Sequence, residues 1–392
     1  MKCVNELNLA NNEKQYKCGC YLIHLLACVL NGCVPHEKPE DIDFEEIYHL
    51  AKAHSVESMA ISAMKELQSK PRQDLLDKWN RISDRNITQS ITQLGERDII
   101  IQKLTEQGID ILPLKGCILK ELYPRLDYRQ MADIDILIDG SKAKDAKAVM
   151  EALGYTSEHF NVSNHDVYEK APYMGVELHR NLLSENNKNY DYYKNIWKKA
   201  LPDKKIPHCY YLHPEDCFIY LIVHFEKHYN GCGSGIRSIM DIALFLRLYG
   251  EKLDQAYLRQ EFTKLQLLEF AEASEKLAKL WFSDGMEEYT EDLREMERQL
   301  ISLGVYGNVK NLVNNQIKHL ETEYGNRKKA KIIYVLKRIF LPKKEIRCLY
   351  PFLNKVPFLL PFCWVHRLVH AVISKPEVVK NEIRYIKENN ES

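Results

Sequence analysis

Residues 108–140 constrain this chain more than any other stretch. Two short aliphatic runs, Ile109-Asp110-Ile111-Leu112-Pro113-Leu114 and Ile134-Asp135-Ile136-Leu137-Ile138, have the length of strands, and turn residues close each, Lys115-Gly116 and Asp139-Gly140. Between them, residues 117–123 read as a helix stopped by Pro124. Such a unit has to bury its aliphatic side chains in a sheet. In a strand, residues two apart project from one face about 6.5 Å apart, so Asp133 and Asp135 point together while Ile134 and Ile136 point into the core.

Two carboxylates at that separation repel by about 0.6 kcal/mol in bulk water and several times more at an effective dielectric of about 20. A half-buried pair therefore favours a hard divalent cation such as Mg2+. A solvated strand end carries the same D-x-D pattern, so the surrounding residues decide its weight. Arg125 and Arg129 lie in the loop before the aspartates, and Glu177 stands in another strand-like run, Gly175-Val176-Glu177-Leu178-His179. Glu177 and His179 share a face, and a neighbouring strand would bring Glu177 beside Asp133 and Asp135. Three carboxylates on adjacent strands can hold two divalent ions about 3.5–4 Å apart, the clamp used for in-line displacement at phosphorus. Lys115 is expected to reach a triphosphate as a point charge, with Gly116 and the Cys117 N–H at the turn and Arg129 as a second cation. Arg180 reads as a surface residue or an ion-pair partner.

Elsewhere the periodicity is mostly helical. Residues 14–107 place apolar side chains three and four apart, with one long helix over 72–107 after Lys70-Pro71. Ser141 is expected to cap a helix over 142–153, and residues 155–160, 166–170 and 174–179 have strand character. Beyond Tyr190 helices return, at 214–229, 236–248 and 258–280. The fold class is α+β: a small mixed sheet in residues 108–200, flanked by helical regions at 1–107 and 201–392.

The 55 basic and 55 acidic side chains cancel, so no whole-chain field favours nucleic acid or an anionic membrane, and any such partner has to be recognised by a local patch. Eleven irregularly spaced cysteines point to reduced thiols and a cytoplasmic setting. Cys18, Cys20, Cys28 and Cys33 do not have the spacing of a familiar zinc site. Residues 21–34 are too short to span a bilayer and follow a polar start, so they read as core, and no transmembrane segment is expected. Residues 350–373 mix aromatic and aliphatic residues with prolines before an apolar helix. The favoured reading is that they fold back on the helical core; contact with a membrane or partner is the alternative.

The strings LPLKG, LYP, an Arg, ADIDILID and VELHR resemble the nucleotidyltransferase-fold superfamily, and more closely its uncharacterised nucleotidyltransferase family, over roughly residues 108–248. The resemblance implies a Mg2+-dependent transfer of a nucleoside monophosphate from a nucleoside triphosphate, ATP included, to an unknown hydroxyl-type acceptor in a small molecule, protein or RNA. Asp133, Asp135 and Glu177 would be the metal-holding residues. Cys117 stands where the superfamily commonly has Ser, so a nucleotide-binding protein with little or no turnover is the second reading. A third, a His-based metallohydrolase, rests on His224 and His228, one helical turn apart in H-F-E-K-H; helix packing is the plainer reading of that pair. Asp241 reads as a helix-surface partner of Arg237.

Overall fold

The computed structural model describes residues 2–161, 163–172, 174–283, 288–304 and 309–388. The chain divides into two compact units, one of residues 1–226 and 234–305, the other of residues 227–233 and 306–392. The three regions read from the sequence do not coincide with these units. Both flanks of the sheet contribute apolar faces to the first unit, so its helices and sheet form one packing body.

That unit opens with α1 (Lys2–Asn31), α2 (Phe44–His54), α3 (Glu57–Met64) and α4 (Gln73–Glu106). Leu22, Leu25 and Leu26 of α1 are fully buried, as the three- and four-residue spacing requires. Asp43 and Glu46 form a capping box that starts α2. α4 buries Leu75, Trp79, Ile100 and Leu104 along one stripe. Gln93, in the same stripe, donates to the Met131 carbonyl at 3.1 Å, tying α4 to the loop before the aspartates.

The central sheet has five strands: β1 (Ile111–Pro113), β2 (Asp133–Ile138), β3 (Thr156–His159), β4 (His165–Lys170) and β5 (Met174–His179). Their spatial order is β1-β2-β5-β4-β3, with β2 and β5 parallel and the other pairs antiparallel. The α+β class with a small mixed sheet is therefore the observed one. Between β1 and β2 lies the one-turn α5 (Gly116–Leu119), and α6 (Ala143–Ala152) follows β2. Asp139, not Ser141, caps the short 3-10 turn Gly140–Lys142 that leads into α6, its carboxylate accepting from the Ser141 N–H, and no side chain among the described residues caps α6 itself. Ile134, Ile136, Ile138, Val176 and Leu178 face α4 and α6 in one buried cluster with Ile100, Leu104, Ala146 and Met150. Burying each such aliphatic side chain contributes about 1.5–3 kcal/mol, which fixes the register and leaves the opposite face to the acids.

After α7 (Tyr190–Tyr193) and a short hairpin, β6 (Ala200–Pro202) and β7 (Tyr210–Leu212), the chain returns to helices. These are α8 (Pro214–Tyr229), α9 (Ile236–Tyr249), α10 (Gln255–Lys264), α11 (Leu268–Phe282) and α12 (Glu291–Leu303). The single helix expected over 258–280 is two, because Gln266 turns to φ 57 between α10 and α11. No Gly or Pro marks that break in the sequence.

The second unit holds α13 (Val309–Tyr324), α14 (Arg327–Ile339), α15 (Lys343–Leu349), α16 (Leu360–Ser374) and α17 (Pro376–Glu388). Val313, Ile317, Leu320, Ala330 and Tyr334 form one small core, and Ile346, Leu353 and Cys363 another. The expectation that residues 350–373 fold back on the helical core holds only in part: Leu353 and Cys363 are buried with Ile346, and Tyr350, Leu359, Leu360 and Trp364 pack against them. Phe358, Phe362, Val365, Val369, Val372 and Ile373 are all exposed.

Candidate active site

The acids meet on the sheet face opposite the aliphatic cluster. In the parallel register of β2 and β5, Asp135 stands across from Glu177 and Asp133 across from Gly175. A side chain at Gly175 would lie 2.4 Å from Asp133 Oδ1, so the glycine leaves the space that this carboxylate fills. On the other side of β5, the antiparallel register sets His165 across from His179 and Val167 across from Glu177.

His179 bridges the acids. Its Nε2 lies 2.9 Å from Asp135 Oδ1 and 3.2 Å from Glu177 Oε2. Its ring centroid is 5.1 Å from that of His165. Lys115 Nζ donates to the same Asp135 Oδ1 at 2.7 Å. Lys115 has φ 44 and ψ −115, near the first central position of a type II′ turn, and the Cys117 N–H closes that turn on the Leu114 carbonyl at 3.0 Å. A lysine in that conformation costs about 1–3 kcal/mol.

The electrostatics follow from burial and these partners. Burial and the charges of Glu177 and Asp135 push the Asp133 carboxyl up to about 6. Burial acts in the same direction on Asp135, but Lys115 and His179 outweigh it and hold Asp135 well below the ordinary carboxylate range. Glu177 is lowered, chiefly by its hydrogen bond from His179. Burial works against a charge on His179, yet its hydrogen bonds to Asp135 and Glu177 raise its pKa. The cluster is thus short of positive charge at Asp133, and a cation would relieve that repulsion.

This geometry lies within residues 40–283, the stretch that matches the profile of the uncharacterised nucleotidyltransferase family and more than half of the chain. The chain belongs to that family. No curated protein and no solved structure matches it. The sheet face places Asp133, Asp135 and Glu177 beside Lys115, and two of the residues expected to meet phosphate make contacts within the protein.

Arg129 is the first of these. Its Nε and Nη2 donate to the two carboxylate oxygens of Asp241 on α9 at 2.8 and 2.9 Å, and Tyr123 donates to Asp241 Oδ1 at 2.8 Å. Arg129 and Asp241 are both buried, so the guanidinium already has a counter-charge within the protein. Asp241 is likewise not a surface partner of Arg237, whose Nη1 donates to the Gln130 carbonyl at 2.8 Å. Cys117 is the second: its N–H closes the turn and its buried thiol donates to the Asp135 carbonyl at 3.4 Å. Gly116 stays at the turn, and a side chain there would meet Met131 Sδ at 2.7 Å and Arg129 Nη1 at 2.8 Å. Arg180 pairs with Asp166 at 3.3 Å, as an ion-pair partner.

Three residues escaped the sequence reading. His165 joins through the hairpin register, in which Lys170 opposes Met174 around Pro172. That symmetry was the available signal. Tyr220 of α8 is buried where the charges of Lys115, Asp135 and Glu177 act on it, and burial raises its pKa to about 12. Lys120 is fully buried, donating to Ser90 Oγ at 2.9 Å and to the Arg129 carbonyl at 2.7 Å, and burial lowers its pKa to about 7. Neither of these two has a local sequence mark.

Among the described residues, the ligand atoms of His165, Glu177 and His179 form a group within 4.8 Å of one another. Asp133 and Asp135, His224 with His228, and the cysteines of α1 do not appear in such a group.

Proposed function

We propose that the protein is a magnesium-dependent nucleotidyltransferase that moves a nucleoside monophosphate from a nucleoside triphosphate to a hydroxyl-type acceptor and releases pyrophosphate. The observation that carries this reading is the register of the parallel β2–β5 pair, which sets Asp135 across from Glu177 with Asp133 two residues away on the same strand, beside the Lys115 turn. Asp133 and Glu177 are half-buried, with their charge only partly balanced, which suits a carboxylate site for Mg2+. Two ions would match the three carboxylates. When bound, Mg2+ would neutralise charge on the triphosphate and at the reacting phosphorus.

The chain's own residues supply the rest. Lys115 Nζ, held at the turn, is placed to leave Asp135 for phosphate oxygens. Glu177, kept ionised by His179, can orient the acceptor hydroxyl and take its proton. The acceptor oxygen forms its bond to the α-phosphorus as the bond between that phosphorus and the pyrophosphate oxygen breaks. Nine described cysteines are free thiols, which supports a cytoplasmic setting.

A second reading is a nucleotide-binding protein without turnover. The internal hydrogen bonds of Cys117 and Arg129 favour it, because both groups would have to give them up to hold phosphate. Incubation with α-labelled nucleoside triphosphates, Mg2+ and a panel of acceptors tests the first reading. Label transferred to an acceptor, and lost in Asp135→Asn, supports it. Mg2+-dependent triphosphate binding in calorimetry without any transfer supports the second reading, and binding that Asp133→Asn with Asp135→Asn leaves unchanged overturns both.

A further inference from the structure

The second unit carries an apolar surface that the proposed chemistry does not use. On α16 and the turn before it, Phe358, Phe362, Val365, Val369, Val372 and Ile373 recur at three- and four-residue spacing and all face solvent, Phe358 being 75% exposed and Ile373 73%. The same helix is fixed to its own unit on its other side. Cys363 is buried with Ile346 and Leu353, the Trp364 indole donates to the Leu341 carbonyl at 3.1 Å, and Arg367 donates to the Ile339 carbonyl at 3.2 Å. Within residues 357–374 Cys363 alone is fully buried. An ordinary surface helix turns its apolar face inward; α16 turns much of its own outward.

The charge distribution says what covers it. Residues 306–392 contain 17 Lys and Arg against seven Asp and Glu, while residues 1–305 contain 38 against 48. Whole-chain neutrality therefore conceals a strongly basic C-terminal segment. Lys355 and Lys375, both exposed, bracket α16.

We propose that this unit docks on anionic phospholipid surfaces, with α16 lying in the plane of the headgroups and its exposed apolar face towards the acyl chains. An apolar helix face combined with a basic segment supplies the two signals that stable interfacial binding needs. An orientation across the bilayer fits less well. Eighteen helical residues reach about 27 Å against a hydrocarbon core of about 30 Å, and crossing would strip Trp364 and Arg367 of their partners. A second copy of the chain also fits less well. The apolar seam spans about two heptads where a coiled coil needs roughly three or four, and pairing would bring two basic segments together.

The test is co-sedimentation of the full chain with vesicles of phosphatidylcholine alone or with about one third phosphatidylserine, at low and high salt. The variants are Phe362→Ser with Val369→Ser, and Lys355→Glu with Lys375→Glu. All four positions are exposed, and circular dichroism checks that both variants stay helical. The expected result is binding to the phosphatidylserine vesicles that falls about tenfold or more on neutral vesicles, at high salt and in either variant. Equal binding to both vesicle types overturns the proposal. So does absence of binding, whether the chain is a monomer or a dimer that Phe362→Ser with Val369→Ser dissociates.

Discussion

Asp135 and Glu177 stand across from one another on parallel strands, and a single nitrogen of His179 lies within 3.2 Å of a carboxylate oxygen of each. Lys115 reaches the same Asp135 oxygen from the turn after β1. Asp135 is therefore the hub of the site, and its replacement should cost the most. Asp135→Asn is expected to lower label transfer from an α-labelled triphosphate by about a hundredfold or more, with a smaller loss for Glu177→Gln. Equal transfer by wild type and Asp135→Asn would remove this carboxylate from the chemistry.

Lys115 combines an ion pair with a strained backbone, and two substitutions separate them. Lys115→Ala loses the ammonium and keeps a Cβ at φ 44, whereas Lys115→Gly loses the ammonium and relieves the strain. Lys115→Gly should be more stable than Lys115→Ala by about 1–2 kcal/mol in urea denaturation. Both should bind triphosphate equally weakly. Equal stabilities would mean that the turn carries no strain.

The strand pair that holds the acids was legible in the sequence because aliphatic residues alternate with Asp133, Asp135 and Glu177, and burial allows only one register. Helix α8 was legible for a similar reason, being strongly apolar and starting at Pro214. The fates of Arg129 and Cys117 were not legible. Arg129 meets Asp241 across 112 residues of chain, and only tertiary packing brings α9 beneath the loop. A cysteine after a glycine turn offers its N–H to a ligand or to its own turn with no local difference in sequence. The outward face of α16 was misread because an apolar helix in a globular chain is usually core, and composition does not tell which side packs.

The Arg129–Asp241 pair makes the structural correction testable. Asp241→Ala leaves a guanidinium buried with Tyr123 and no counter-charge, which should cost about 3–5 kcal/mol of stability. Replacing both, Asp241→Leu with Arg129→Met, should recover much of that loss, and a double-mutant cycle on urea midpoints with the single variants Asp241→Leu and Arg129→Met measures the coupling. If Arg129→Met instead leaves stability untouched and weakens triphosphate binding, then the guanidinium serves the ligand after all.

His54 and Glu57 give the first unit two opposed responses to pH. His54 is fully buried, its Nδ1 accepting from the Ile236 N–H at 3.2 Å and its Nε2–H donating to the Ile301 carbonyl at 3.1 Å. Burial lowers its pKa to about 4, so as pH falls from 6.5 the unfolded chain takes the proton first and stability drops. Burial raises Glu57 to about 7, so as pH rises from 4.5 the unfolded chain releases its proton first and stability again drops. Each effect amounts to about 3 kcal/mol over its window, and the two windows nearly coincide with opposite sign. Wild type should therefore hold a nearly constant urea midpoint across that range as far as these two groups decide it. Glu57→Gln should expose the acid loss of His54, and His54→Gln should become less stable as pH rises. Parallel pH profiles for wild type and both variants would show that neither buried group changes its protonation on unfolding.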